Sequence, residues 1–90
     1  MTDSDEIRRK RLLFRSWHRG TKEADLLLGS FAEQNLAAFT PSELDAYEQL
    51  IEENDADLWD WLIGHSAAPA VHDPALIARL RNFRYTARPA

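Results

Sequence analysis

Cysteine is absent from this 90-residue chain, and glycine is scarce, with only three residues. Without cysteine the chain can form no disulfide, no Cys-type zinc site and no thiolate nucleophile. The three glycines do not form a Gly-rich phosphate-binding loop, because each lies at a predicted helix end or helix contact. These absences exclude several common classes of enzyme and metal site.

Long hydrophobic runs are also absent. No apolar segment approaches the roughly 20 residues that a helix needs to cross a bilayer. Residues 1–6 are acidic, whereas a secretory or transit peptide would be basic. We therefore expect an untargeted cytoplasmic protein that has no membrane partner.

The sequence contains no recognisable catalytic set. His18, His65 and His72 are too few and too irregularly spaced for a metal site, and the latter two are expected to be solvated in or beside a loop. The acidic run over residues 48–60 lacks the spacing and central glycine of a calcium loop. No nucleophile-elbow pattern appears. The sequence thus predicts a protein without catalytic residues, metal or stably bound cofactor, and not an enzyme.

The residues that are present indicate a small helical domain. The composition is 44% hydrophobic and 29% charged, which is typical of a soluble globular protein. A chain of this length forms one domain. Apolar residues recur with helical spacing, and no strand-like alternation is found. We predict an all-α bundle of about five short helices over residues 1–90, with an ordered core at 5–84, flexible termini and a monomeric state.

Charge is distributed unevenly along the chain. Lys and Arg occur only within residues 8–22 and 79–88, while the stretch from Glu23 to Asp73 contains twelve acidic residues and no Lys or Arg. If the basic ends meet, the molecule has a basic and an acidic face that steer docking onto a charged partner. Alternatively, the ends pair internally with the acidic middle. The sequence pI of about 5.2 argues against a nucleic-acid partner.

The first helix is predicted over residues 4–19, with a polar cap and acidic first turn. Its apolar stripe is expected to be Ile7, Leu13, Phe14 and Trp17, and its remaining surface is basic. Gly20 then ends the helix by adopting a left-handed backbone conformation.

The second helix, from residue 21 or 22 to 35, has the clearest apolar periodicity in the chain. Its inward residues are predicted to be Ala24, Leu27, Leu28, Phe31 and Ala32. Gly29 within it is unfavourable by up to about 1 kcal/mol relative to alanine. We expect the close approach of another helix to explain this glycine.

Three further helices follow. Thr40, Pro41 and Glu43 form a strong start for the third, which carries Leu44, Tyr47, Leu50 and Ile51 inward and ends near residues 53–54. A fourth helix capped by Asp55 and a fifth opening at residues 73–74 complete the bundle. The fourth is so rich in apolar residues that one of its two tryptophans, Trp59 or Trp61, is expected to be partly exposed as a potential binding anchor.

Two segments resemble a known family. Residues 17–28 (W-H-R-G-T-K-E-A-D-L-L-L) resemble the signature of the SdhE family, the FAD assembly factors of succinate dehydrogenase, called succinate dehydrogenase assembly factor 2 in mitochondria. The hallmark R-G-x-x-E is matched by Arg19, Gly20 and Glu23. Residues 55–64 (D-A-D-L-W-D-W-L-I-G) are similar to the family's D-x-D-L-x-x-W-L segment. His18 departs from the pattern, since many members have a second arginine there.

The resemblance implies a bacterial protein that binds the flavoprotein subunit of succinate dehydrogenase, and in bacteria often fumarate reductase. It implies that the chain promotes covalent attachment of FAD to a histidine of that partner without supplying catalytic groups. Some members also carry the antitoxin label CptB. The alternatives left open are a generic protein-binding helical module, including an antitoxin-like regulator, and less favourably a nucleic-acid binder.

The predicted partner-binding surface lies at the junction of the first two helices. We expect Arg19 and Glu23 to project together from the bend, Arg19 towards a carboxylate of the partner, with Gly20 allowing close approach. Helix-end rules alone also account for these residues. Neighbouring residues are expected to add contacts and steering, which gives the full predicted set: Arg19, Gly20, Glu23, Trp17, His18, Lys22, Arg15 and Arg11.

Overall fold

The computed structural model describes residues 4–83, which form five α-helices. These are α1 (Asp5–Trp17), α2 (Lys22–Asn35), α3 (Pro41–Ile51), α4 (Asp55–Leu62) and α5 (Pro74–Asn82), with a short 3₁₀ helix, Leu36–Ala38, between α2 and α3. No strand occurs within residues 4–83. The predicted all-α bundle is therefore confirmed, whereas the predicted flexible termini lie outside the described residues.

Each of the five α-helices is preceded by a polar residue whose side chain accepts a hydrogen bond from the first turn. The caps are Ser4, Thr21, Thr40, Asn54 and Asp73. Thr40 and Glu43 form the predicted reciprocal capping box. The cap of α4 is one residue earlier than predicted, because the Asn54 side chain accepts from Asp57 N–H and Asp55 is used elsewhere.

The centre of the bundle is built by α2 and α3. All the inward residues predicted for these two helices are buried: Ala24, Leu27, Leu28, Phe31, Ala32, Leu44, Tyr47, Leu50 and Ile51. Helix α1 packs against α2 and α3, and α4 packs against α5. The fifth helix adds Leu76, Ile77 and Leu80 to the same core.

The buried face of α1 differs from the predicted one. Leu12 and Ser16 are buried, while Ile7 and Phe14 are exposed, so the predicted stripe is wrong for these two residues. Ser16 replaces an apolar residue because its hydroxyl group lies 2.6 Å from the buried Tyr47 hydroxyl and donates to Leu12 O. A buried phenol needs such a partner. Tyr47, which lies 31 positions from Ser16 in the sequence, thus determines which face of α1 is buried.

Gly29 lies beneath the indole ring of Trp17. A Cβ atom placed on Gly29 would lie 2.1 Å from Trp17 Cδ2, which is far inside van der Waals contact. The Trp17 Nε1–H donates to Glu33 Oε1 at 3.2 Å and holds the ring across α2. The expected close approach of another helix at Gly29 is confirmed.

Much of the basic surface of α1 is paired internally. Arg8 Nη2 lies 2.5 Å from Asp45 Oδ1 and 2.9 Å from Glu48 Oε1 on α3, and the hydrogen bond that Arg8 donates to Asp45 is the main reason that the pKa of Arg8 is raised. Arg15 also approaches Glu48, at 3.7 Å. Arg9 donates to the carbonyl groups that follow α2, at residues 36 and 39. These contacts favour the internal-pairing alternative for this part of the charge.

Candidate functional site

The bend between α1 and α2 is fixed by its own backbone. Gly20 has a φ of +121°, in the region that favours glycine, as predicted. The Asp25 carboxylate oxygen Oδ1 accepts hydrogen bonds from Arg19 N–H at 2.5 Å and from Gly20 N–H at 3.3 Å. One side chain from the first turn of α2 therefore holds both residues of the bend.

Arg19 points into the molecule rather than out to solvent. Its guanidinium group donates to the Ile51 and Glu53 carbonyl oxygens and to Asp55 Oδ1, the last two at 2.8 and 3.0 Å. The last carbonyl groups of α3 lack partners within the helix, and a cation is favourable at that end of the dipole. Since only 11% of the side chain is exposed, the expected outward projection of Arg19 is wrong.

Gly20 permits a close approach, but the approaching group belongs to the same chain. A Cβ atom at Gly20 would lie 3.2 Å from Asp55 Oδ2. Arg19 and Gly20 therefore bring the first residue of α4 directly against the bend. In this way the two segments that resemble the SdhE family meet in space.

The meeting of these segments forms a shallow groove of about 480 Å³, lined by Thr21, Glu23, Asp55, Ala56 and Trp59. The Glu23 side chain is exposed, and the Trp59 ring is half-buried. Trp61, by contrast, belongs to the core. This confirms that one tryptophan of α4 is partly exposed. The groove thus combines carboxylates with an aromatic surface.

The other predicted site residues lie around the bend and differ in their exposure to solvent. Lys22 and Arg11 are exposed, and Arg15 is half-buried. Trp17 covers α2, so it acts mainly in packing. The partner-binding role of the whole set stays a prediction. The sequence interpretation missed that Asp55, Ala56 and Trp59 line the same groove; the signal was the second family-like segment, which contains all three.

His18, the residue that follows α1, is exposed and stacks on the exposed side chain of Phe14. The two ring centroids are 4.0 Å apart, and the ring planes differ by 19°. His18 Nδ1 also lies 2.7 Å from Phe14 O. These contacts are made beside the bend and not within the groove.

A second set of contacts holds the α3–α4 junction from its other side. His72 Nε2 lies 2.6 Å from Glu53 Oε2, and the histidine side chain is only 1% exposed. The prediction that His72 is solvated is wrong, whereas His65 is exposed as expected. The burial arises because the His72 ring packs against Trp61, with centroids 5.4 Å apart. Glu53 is therefore held through its carbonyl by Arg19 and through its carboxylate by His72.

The chemistry of the groove suits docking. Glu23 and Asp55 supply hydrogen-bond acceptors, and Trp59 supplies an apolar face next to them. Carboxylates at this position would repel the phosphates of a nucleic acid. Within residues 4–83 there is no cluster of His, Asp or Glu that could hold a metal ion, and no helix there is both long and apolar enough to cross a membrane.

Comparisons with known proteins match most of the chain. A family model described as "Flavinator of succinate dehydrogenase" matches residues 10–84. The FAD assembly factor SdhE of Acetobacter pasteurianus is 40% identical over 78 residues, which cover 87% of this chain and 72% of that protein.

Mitochondrial proteins named succinate dehydrogenase assembly factor 2 are also similar. The protein of Scheffersomyces stipitis is 48% identical over 56 residues, covering 62% of this chain and 38% of its own length. The protein of Danio rerio is 38% identical over 80 residues, covering 87% of this chain and 51% of its own length. The matched region thus spans about half or less of the length of these two mitochondrial relatives.

Proposed function

The chain belongs to the family described as the flavinator of succinate dehydrogenase, and we propose that it binds the flavoprotein subunit of that enzyme and promotes covalent attachment of FAD to it. The observation that carries the proposal is the family match over residues 10–84, which includes both segments that form the groove. In bacteria, fumarate reductase is a second flavoprotein that we include as a partner.

The residues at the groove have two proposed roles, direct contact with the partner and positioning of the residues that make the contact. Glu23 and Trp59 face the groove and are accessible, so we assign them direct contacts with the flavoprotein. A partly exposed tryptophan beside polar groups is a common anchor at protein interfaces. Arg19 and Gly20 act as positioning residues, because they fix Asp55 and the start of α4 against the bend.

The proposed mechanism is one of orientation. The chain holds the flavoprotein in a conformation in which bound FAD and the acceptor histidine are aligned for reaction. Correct alignment of two reacting groups can contribute a large part of a rate enhancement without acid or base catalysis by the helper. Bond formation belongs to the flavoprotein and FAD, and the chain dissociates unchanged. We therefore propose a monomeric cytoplasmic assembly factor that is not itself an enzyme.

A protein partner fits the groove better than a nucleic acid does. Glu23 and Asp55 place carboxylates at its lining, where phosphates would be repelled. A generic protein-binding role, including an antitoxin-like one, predicts binding without any effect on flavin attachment. The two protein-binding functions are therefore separated by a direct measurement of covalent flavin.

The test is co-expression of the flavoprotein subunit with and without this chain, in cells that lack their own assembly factor. Flavin fluorescence of the denatured subunit in a gel reports covalent FAD. We expect fluorescence to rise with the wild-type chain and to remain low with Trp59→Leu. Ile63→Ala provides the matched control, since Ile63 is an exposed apolar residue at the end of α4 outside the groove.

Equal fluorescence with and without the wild-type chain would overturn the proposed function. Equal support by the wild type and Trp59→Leu would leave the function intact but remove Trp59 from the binding surface. Thermal melts of both variants check that each is folded.

A further inference from the structure

Helix α1 carries apolar side chains on its outer face. Phe14 is 64% exposed and Ile7 is 53% exposed, and the exposed ring of His18 stacks on Phe14. Residues seven positions apart fall on nearly the same side of a helix, and His18, which follows the helix, joins this side through its stack on Phe14. Ile7, Phe14 and His18 therefore form one line, the α1 stripe, which runs to the end of the helix next to Arg19.

The outer end of the α1 stripe is preorganised. The His18 ring stacks on Phe14 with centroids 4.0 Å and planes 19° apart, and its Nδ1 atom lies 2.7 Å from Phe14 O, so two contacts hold the imidazole ring over Phe14. Aromatic residues that are already fixed lose little conformational entropy on binding. Phenylalanine is among the residues that are enriched at protein interfaces.

The surroundings of the stripe have a definite charge. Helical geometry places Lys10 about 60° to one side of Ile7 and Arg11 about 40° to the other, and both are exposed. Arg8 and Arg15, farther round the helix, pair with carboxylates of α3. The middle of the stripe is thus an apolar line bordered by cations.

We infer that the α1 stripe is a second anchor for the flavoprotein, seated in an apolar pocket of that partner whose rim carries carboxylates. The inference rests on the proposed function and extends the binding surface beyond the groove to the outer face of α1. Charge complementarity sets the orientation and speeds association, while Phe14 supplies the buried apolar contact.

Two other occupants fit less well. An anionic bilayer fits less well because the apolar area, a single line along α1, is narrow for an interfacial helix. A second copy of the chain, paired antiparallel along the stripe, would bring Lys10 and Arg11 of one copy close to those of the other. Like charges at such a contact are unfavourable.

The test measures the affinity of the full chain for the purified flavoprotein subunit by titration calorimetry. We expect Phe14→Ala to raise the dissociation constant by about tenfold or more, and Phe14→Tyr to retain most of the affinity because it keeps the ring. Val71→Ala is the matched control, since Val71 is an apolar residue that is 61% exposed in the loop before α5. The affinity of this variant for the flavoprotein should equal that of the wild type. The melting temperature of Phe14→Ala should stay within roughly 4 °C of the wild type.

The outcomes separate this inference from the proposed function. A wild-type chain that fails to bind the flavoprotein overturns both. If the wild type binds and Phe14→Ala binds with the same affinity, only the inference about the α1 stripe is overturned. The inference is also overturned if Phe14→Ala instead abolishes binding to phosphatidylserine vesicles, or abolishes self-association in sedimentation, while flavoprotein affinity is retained.

Discussion

Tyr47 carries a hydroxyl group into the middle of the bundle. Within residues 4–83, the side chain that hydrogen-bonds to this hydroxyl is Ser16, at 2.6 Å. The hydroxyl oxygen also lies 3.4 Å from Leu28 O. Burial raises the pKa of Tyr47 to about 12, although the hydrogen bond with Ser16 and the charge of Arg19 act in the opposite direction. The ionised phenolate is therefore disfavoured in the folded state.

The raised pKa of Tyr47 predicts a loss of stability in strong base. The contribution of the bound proton is complete below pH 10, the ordinary pKa, and is lost as the pH rises from 10 to about 12. Over that interval the free energy of unfolding should fall by about 3 kcal/mol from this group. Urea unfolding at a series of pH values measures it, and tyrosinate absorbance should appear together with unfolding.

Tyr47→Phe is the control for that series, because it removes the ionisable group and keeps the ring. Its free energy of unfolding should lose less over the same pH interval. An equal decline in the variant and the wild type would show that Tyr47 is not the group responsible.

At the scale of the element, the packing of α1 on α2 is decided by Trp17 and Gly29. Alanine at position 29 would place its Cβ atom 2.1 Å from the indole ring, so the ring or the helix has to move. We expect Gly29→Ala to lower the free energy of unfolding by about 1–3 kcal/mol. Chemical denaturation measures the change.

The same substitution should have the opposite sign without the indole ring. In a Trp17→Ala background, Gly29→Ala meets no ring, and the better helix propensity of alanine should raise stability by about 1 kcal/mol. Destabilisation of equal size in both backgrounds would contradict the assignment of this glycine to the contact with Trp17.

The elements themselves were largely predictable from sequence, because helix starts are local. The box formed by Thr40 and Glu43 and the break at Gly20 each depend on neighbours within a few positions. The apolar periodicity of α2 and α3 likewise predicted their buried faces. One local cap was misplaced by one residue, because Asn54 and Asp55 are both good caps and the choice depends on Arg19.

The interpretation failed where a distant partner decides the outcome. Ser16 faces inward because of Tyr47, and that exposes Phe14 and Ile7. His72 is buried because its ring packs against Trp61 and its Nε2 atom contacts the Glu53 carboxylate. Nothing in the sequence around these residues identifies partners that lie 11 to 31 positions away.

At the scale of the whole molecule, the bend between α1 and α2 is connected by hydrogen bonds to the junction between α3 and α4. Arg19 connects the end of α1 to the end of α3 and the start of α4, with acceptors 32 to 36 positions along the chain. The motif arginine is thereby used for internal organisation, and the motif glutamate remains available to a partner. Arg19 therefore has a structural role, while the contact of Glu23 with the flavoprotein is the role that we propose for the second motif residue.

This division assigns different effects to the two charged motif residues. Arg19→Ala leaves Asp55 and two carbonyl oxygens without their cation, and we expect it to lower the free energy of unfolding by about 2–3 kcal/mol. Glu23→Gln removes an exposed charge at the start of α2 and should cost at most about 1 kcal/mol. Urea unfolding of the two variants measures the difference.

The most direct measurement is the affinity of folded Glu23→Gln for the purified flavoprotein subunit, compared with Glu52→Gln, an exposed glutamate outside the groove. The account predicts that Glu23→Gln weakens binding by about tenfold or more, while Glu52→Gln binds like the wild type. Wild-type affinity in Glu23→Gln would contradict the claim that the bend is the docking surface.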